Sequence, residues 1–302
     1  MPGEGFSGRT SLRKWWKSIW ATSNSPSSSP EQPRVEMGIV TDLDDTLLGS
    51  SECLSAFLRW REGRPQWGLA YATGRYLDSA LHVMREAGLP RPEALITDVG
   101  SRIFFPVSGF PGGGSGRETA GGEGSPVSGT EWEEDLRWWS RALATWRPVE
   151  VVRALKRVPG FSVDAVDGED PRGPKGRISG RWDGDPGVVA RVEQALKEAG
   201  LPTRVVVSRG RLDVIPASGG KGAAARYAVA RLGWRKVLAC GDNGNDRDLL
   251  LAGFPAVLVG NADKGMREER WPPRVYIASK PYACGILQGW EHWYGGPNID
   301  GP

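Results

Sequence analysis

From Met37 onward, short apolar runs alternate with longer amphipathic stretches, and this alternation restricts the fold more than any other feature of the chain. Apolar runs too short for a buried helix, each followed by a stretch with one apolar helical face, fold as strand-helix-strand units of a parallel sheet. The expected strands are 38–41, 68–72, 94–97, 236–240 and 256–259, and the expected helices 51–61, 77–87, 221–232 and 282–293. Gly88 and Gly233 stand where two of these helices should end, and glycine readily takes the left-handed backbone that caps a helix.

The middle of the chain has a different texture. Residues 108–130 are crowded with Gly, Ser and Pro, and a flexible loop is expected there. Beyond it lie a Trp-rich helix candidate (131–146), strand candidates (161–166, 177–182, 204–208) and a helix candidate (187–199), with 211–215 leading back. These predict a small α+β layer inserted into the larger domain. Trp132, Trp138, Trp139 and Trp146 recur at near-helical spacing and are expected to bury one helix face. The expected organisation is a disordered leader (1–36), a core in two parts (37–105 and 212–293), an insertion (106–211) and a tail (294–302). The leader's stretch from Arg13 to Trp20 mixes Trp with cations, which leaves a transit or membrane-touching segment as an alternative.

Composition removes several function classes. The 39 Lys and Arg nearly balance 36 Asp and Glu, and no dense block of one sign exists, so nucleic acid is not an expected partner. No apolar run approaches the roughly 20 residues needed to span a bilayer. Three cysteines, Cys53, Cys240 and Cys284, lack metal-ligand spacing and the even number of a disulfide framework, which predicts a reducing, cytoplasmic setting. With two His in the chain, His82 and His292, zinc is not expected, and each His reads as a surface or packing residue.

Four polar motifs stand at strand ends or helix starts. The first is Asp42-Leu43-Asp44-Asp45-Thr46, after the apolar run 38–40; alternation on a strand would send Asp42 and Asp44 toward one face. Two carboxylates that close repel unless a cation neutralises one or one keeps its proton, which suits Asp42 to nucleophilic attack and Asp44 to acid–base work. An Asp-rich turn or helix cap is the plainer alternative. The second is Cys240-Gly241-Asp242-Asn243-Gly244-Asn245-Asp246, whose oxygen-rich side chains suit a hard cation such as Mg²⁺ but also occur in ordinary turns. The others are Thr73 in Ala72-Thr73-Gly74-Arg75 and Lys221 in Gly219-Gly220-Lys221-Gly222. A hydroxyl with neighbouring amides can bind phosphoryl oxygens and an ammonium can offset their charge, although each alone also fits a cap or a solvated lysine.

In this order the four motifs resemble those of the haloacid dehalogenase superfamily of phosphatases. The resemblance implies a Rossmann-like parallel-sheet core with an inserted α+β cap and an aspartyl-phosphate intermediate. It also implies Mg²⁺ held by Asp42, the backbone carbonyl of Asp44, and Asp242, with Asn245 and Asp246 matching supporting polar positions. Four further stretches, 69–75, 95–103, 212–216 and 283–287, are similar to the sucrose-phosphate phosphatase family, and the likeness covers most of 37–293. That implies an enzyme whose substrate is a small sugar phosphate, sucrose 6-phosphate above all, with a sugar-phosphate synthase as a possible partner; a monomer is expected. Thr46, Gly74, Arg75, Arg177, Ser179 and Asn245 would touch the substrate. Family members carry Lys-x-Ser-aromatic where the cap meets the sugar, whereas this chain has Arg177-Ile178-Ser179-Gly180. The alternatives are a phosphatase for another glycosyl phosphate, such as mannosylfructose phosphate or a compatible-solute precursor, and a non-catalytic sugar-phosphate-binding domain.

Overall fold

The apolar runs become a sheet buried on both faces. A computed structural model describes residues 36–107, 131–164, 176–182, 184–208 and 210–295, all within one unit of the chain, Val35–Pro302. Of the expected leader, loop and tail, residues 1–35, 108–130 and 296–302 lie outside the described residues.

In chain order the strands are β1 (Met37–Thr41), β2 (Trp67–Ala72), β3 (Ala94–Thr97), β4 (Arg102–Pro106), β5 (Trp132–Glu134), β6 (Phe161–Val163), β7 (Ile178–Trp182), β8 (Thr203–Ser208), β9 (Arg211–Pro216), β10 (Lys236–Gly241), β11 (Ala256–Leu258) and β12 (Val275–Ile277). The helices are α1 (Ser51–Glu62), α2 (Leu77–Glu86), α3 (Leu136–Ala142), α4 (Pro148–Leu155), α5 (Pro186–Glu198), α6 (Lys221–Leu232), α7 (Arg247–Leu250), α8 (Lys264–Glu268) and α9 (Tyr282–Tyr294). One sheet runs β12-β11-β10-β1-β2-β3-β4-β5. Its strands are parallel from β12 to β3, and β4 and β5 are antiparallel additions.

Strand alternation divides the core into two layers. Ile39, Leu69, Tyr71 and Leu95 enter one layer with Phe57 of α1, Leu81 of α2 and Ile286 of α9. Val40, Ala70, Ala72 and Ile96 enter the other, against the alanine face of α6 formed by Ala224, Ala225 and Ala228. From β1 the chain proceeds outward through β2 and β3, then returns to β10 on the other side of β1. The order therefore reverses between β1 and β10, and in such sheets the ligand crevice opens beyond the carboxyl ends of the strands at that point.

β6, β7, β9 and β8 form a second, antiparallel sheet. Ile178, Leu212 and Val214 pack beneath α4 and α5. The pairings Ser179↔Asp213, Val206↔Asp213 and Arg204↔Ile215 put Ser179, Arg204, Val206, Asp213 and Ile215 on the opposite face. That face meets the larger sheet's end, where Val206 and Ile215 contact Val99, just beyond β3.

Several expectations shift. Trp132–Glu134 pairs with β4 in the larger sheet, and Arg211–Pro216 pairs with β7 and β8 in the smaller one. The expected insertion boundaries at 106 and 212 therefore do not coincide with the sheets, and we propose that the inserted layer begins after β5 and closes with β9. The Trp run shares no helix face, because Asp135 caps α3 and starts the helix only at Leu136. Trp132 lies in one layer of the larger sheet, Trp138 in the other, and Trp146 against the smaller sheet's core, while Trp139 remains 43% exposed.

Cys53 and Cys284 form a disulfide between α1 and α9, and Cys240 is free and buried. An odd cysteine count thus leaves room for a pair, and the argument from cysteines to a reducing compartment fails. Among the described residues no helix is long and apolar enough to cross a membrane.

Candidate active site

Two strand ends and one helix start meet at the switch point. Beyond β1, Asp42 lies in extended backbone and its amide donates to the Cys240 carbonyl at 3.1 Å. The chain then winds into a tight helical turn, Leu43–Leu47, with Asp45 in the left-handed region at φ 58°. Asn261 braces this turn, donating to the Asp45 carbonyl at 2.6 Å while accepting from the Tyr282 amide at 2.7 Å. The turn separates two carboxylates that strand alternation would place on one face. Asp42 is buried, whereas Asp44 stays 45% exposed and is gripped by both ends of the Arg75 fork at 2.7 and 2.8 Å. Arg75 also donates to Ser79 at 2.9 Å, and the hydrogen bond with Asp44 raises its pKa above the usual guanidinium value.

Beyond β10, Asp242 is fully buried. Thr46, expected at the substrate, is instead fully buried and donates to Asp242 Oδ1 at 2.7 Å. Asp246 turns back on its own loop, where Oδ2 accepts from the amides of Asp242 and Asn243 at 3.0 and 3.3 Å. A Cβ on Gly241 would overlap the Asp246 side chain, so glycine permits this fold-back.

Lys221 closes the arrangement from the start of α6. Its ammonium, with no exposure to solvent, donates to Asp246 Oδ1 at 2.6 Å and to Asp42 Oδ1 and Asn245 Oδ1 at 2.8 Å each. Burial works against its charge, but Asp246 and Asp42 outweigh that and hold its pKa above the ordinary lysine value. Burial also raises the Asp42 carboxyl well above its usual range; Lys221 opposes this, while Asp246 and Asp242 add to it.

Oxygen atoms of Asp42, Asp242 and Asp246 lie within 4.8 Å of one another. Three carboxylates against one ammonium leave an excess of enclosed negative charge, which a divalent cation with oxygen preference would balance. The donor set fits Mg²⁺. Asp42 and Asp242 are the residues best placed to hold it, because both oxygens of Asp246 are already engaged by Lys221 and two amides. The Asp44 carboxylate is not part of this cluster.

Thr73, at the end of β2, is fully buried; its amide donates to the Ile96 carbonyl at 2.9 Å and its hydroxyl accepts from the Arg75 amide at 3.1 Å. A Cβ on Gly74 would lie 3.6 Å from Asn245 Nδ2 and 4.0 Å from an Arg177 nitrogen, so the two sheets approach each other here. Arg177 stacks 4.4 Å over the Tyr76 ring and lies 3.5 Å from Asp213, which also accepts from Ser179 at 2.5 Å. Burial lowers the Arg177 pKa, but Asp213 and then Tyr76 and Asp98 more than compensate, so it stays charged. Arg177 Nε is buried without a hydrogen-bond partner among the described residues.

Asp42, Asp242, Asp246, Lys221, Asn245 and Thr46 thus converge directly, Asp44 and Arg75 pair at their edge, and Arg177 and Ser179 approach from the other sheet. Asn261, Tyr76 and Asp213 escaped the sequence reading. Asp213 had a signal, a lone carboxylate inside the apolar strand 212–215; Asn261 and Tyr76 had none. His82 and His292 are exposed, the latter stacked on Tyr276 at 4.2 Å.

Parallel-sheet topology with strand-end carboxylates at the switch point defines a hydrolase of the haloacid dehalogenase class. A Bacillus subtilis haloacid dehalogenase-like hydrolase shares the fold with a TM-score of 0.56 at 16% identity, over 86% of this chain and 93% of that one. More narrowly, the chain belongs to the sucrose-6F-phosphate phosphohydrolase family, whose profile matches residues 35–109 and 124–294. It is similar to the sucrose-phosphatase of Synechocystis sp. PCC6803, solved with sucrose and phosphate, with a TM-score of 0.71 and 26% identity over 85% of this chain and 98% of that one. Mannosylfructose-phosphate phosphatase of Agrobacterium fabrum is 26% identical over 84% of this chain and 95% of its own length. Sucrose-phosphatase 1 of Nicotiana tabacum is 28% identical over 86% of this chain, which spans only 60% of the tobacco protein. These likenesses make the protein a phosphoric monoester hydrolase of the sugar-phosphate phosphatase type.

Proposed function

We propose that the protein hydrolyses sucrose 6-phosphate to sucrose and phosphate with Mg²⁺, through a phosphoryl group carried on Asp42. The observation that carries this reading is the fully buried Lys221 ammonium bonded to Asp42, Asn245 and Asp246 within a three-carboxylate cluster. Asp42 and Asp242 would hold a Mg²⁺, whose charge would neutralise the phosphoryl oxygens. Lys221 favours the ionised form of Asp42, orients it, and offsets negative charge as the bond to the leaving oxygen lengthens. The Asp42 carboxylate attacks phosphorus, the P–O bond to the sugar breaks, and Asp44 gives its proton to the departing sugar oxygen. Asp44 then takes a proton from water, which attacks phosphorus, releasing phosphate and restoring Asp42. Asp44 starts as a carboxylate in the Arg75 pair; that pair opens when the substrate engages, and Asp44 takes up a solvent proton, the one it then gives to the sugar oxygen. Thr73 and the Gly74 backbone line the phosphoryl group. Arg177 and Ser179, held by Asp213, face the sugar, and the smaller sheet excludes bulk water.

One observation favours a second substrate. At the position where the family carries an aromatic, a Cβ on Gly180 would overlap the Phe161 ring, so the smaller sheet has no room for an aromatic there. With Arg177 in place of lysine, the sugar meets a planar fork instead of a point donor. Another disaccharide phosphate, mannosylfructose phosphate in particular, would fit the same chemistry. Phosphate release from a panel of phosphosugars decides between them: sucrose 6-phosphate should lead, and monosaccharide phosphates turned over equally fast would refute the assignment.

A further inference from the structure

Arg204 and Asp248 grip the chain on both sides of Lys221. Asp248, on α7 just past Asp246, accepts at Oδ2 from the Gly222 amide at 3.1 Å and from an Arg204 nitrogen at 3.2 Å. The other terminal nitrogen of Arg204 donates to the Gly219 carbonyl at 3.3 Å. The Gly222 amide belongs to the first turn of α6, where amides lack partners within the helix and a carboxylate is electrostatically favoured. A Cβ on Gly222 would overlap the Asp248 carbonyl and one on Gly220, at φ 109°, its carboxylate, so the two glycines let α7 press against the start of α6. The Lys221 ammonium makes three hydrogen bonds in the site, and the contacts of Arg204 and Asp248 fix the backbone from which it reaches.

Arg204 comes from the other sheet. Strand register puts it on the β8 face shared with Ser179 and Asp213. The same strand lies against the Asp242–Asp246 loop, since a Cβ on Gly244 would overlap the Val207 carbonyl. Arg204 and Asp248 keep side-chain exposures of 39% and 23%, whereas Lys221 and Asp246 have none. The outer pair can therefore separate without leaving an uncompensated buried charge, while the inner pair cannot.

We propose that Asp248 is a positioning residue for Lys221 and that Arg204 makes this seat depend on contact with the smaller sheet. The ammonium is fully set only while β8 lies against it, which ties phosphoryl chemistry to the element that meets the sugar. The inference rests on the reading that Lys221 serves the reaction.

The test uses the purified full chain with Mg²⁺ and sucrose 6-phosphate. Arg204→Ala, Arg204→Lys, Asp248→Ala and the Arg204→Ala/Asp248→Ala double variant are compared, with Asp248→Asn replacing Asp248→Ala should the latter fail to fold. Each alanine change should lower kcat about tenfold and leave KM within about threefold. Arg204→Lys should restore most of the kcat, and the double variant should be no slower than the slower single one. Acylation of Lys221 by an amine-reactive ester, followed by mass spectrometry, should accelerate in Arg204→Ala and Asp248→Ala. Unchanged kcat together with unchanged labelling would overturn the proposal, as would losses that multiply in the double variant. Lys221→Ala in parallel keeps the two ideas apart: full activity there defeats the assigned role of Lys221, whereas the labelling rate still reports whether Arg204 and Asp248 seat that residue.

Discussion

The polar groups at the end of the larger sheet and those on the facing smaller sheet are both buried, yet they are bonded very differently. Lys221 makes three hydrogen bonds of 2.6 to 2.8 Å, and both oxygens of Asp246 are engaged. Arg177 has a longer ion pair at 3.5 Å, a ring beneath it and an Nε without a hydrogen-bond partner among the described residues. One region is a closed network assembled by the fold itself; the other leaves a guanidinium nitrogen unbonded among the described residues. Chemistry built the first way tolerates little change, while recognition built the second way can be altered one residue at a time. Relatives named for sucrose phosphate and for mannosylfructose phosphate, each little more than a quarter identical to this chain, are what such a division would produce.

Variants can break or sharpen this contrast. Asp42→Asn removes the proposed nucleophile and should cut single-turnover phosphate release by at least about a thousandfold for every phosphate ester tried. Lys221→Met strands Asp42 and Asp246 without their counter-charge. It should cost about 3–5 kcal/mol in thermal or denaturant unfolding and lower kcat by about a hundredfold. On the other sheet the losses should depend on the substrate. Arg177→Ala or Ser179→Ala should raise KM for the phosphosugar about tenfold, equivalent to about 1.4 kcal/mol, and leave hydrolysis of a small aryl phosphate within about twofold. Equal losses on both substrates would erase the distinction between the regions. Smallest in activity should be the Cys53–Cys284 pair, which joins α1 to α9: Cys53→Ser or a reductant should lower stability by about 2–4 kcal/mol with kcat changed less than about twofold.

What the sequence revealed follows the same division. Strands β1, β2, β3, β10 and β11 were readable because strands buried on both faces are near-continuous apolar runs, and β1, β2 and β10 lead directly into Asp42, Thr73 and Asp242. Asp42 and Asp242 were legible for that reason, and Lys221 because it opens a helix after Gly219-Gly220. The turn after Asp42 was not, since its course depends on Asn261, 216 residues beyond Asp45, and local alternation therefore misplaced Asp44. Thr46 looked like a substrate contact because its partner, Asp242, lies 196 residues away. Short edge strands such as β5 and β12 carry too few residues to show a period, and Trp132 passed for part of a helix until Asp135 capped the next element. The disulfide joins cysteines 231 residues apart, a pairing that counting cannot supply. Asp213 went unread although it is an odd carboxylate in an apolar strand, because its role required the register that faces it to Ser179.

Phosphate release by the purified full chain from sucrose 6-phosphate, followed before and after a chelator and again after added Mg²⁺, tests the carboxylate cluster most directly. Release that stops on chelation and returns with Mg²⁺ is the expected result. Release indifferent to chelation would contradict a cation-dependent centre at Asp42 and Asp242.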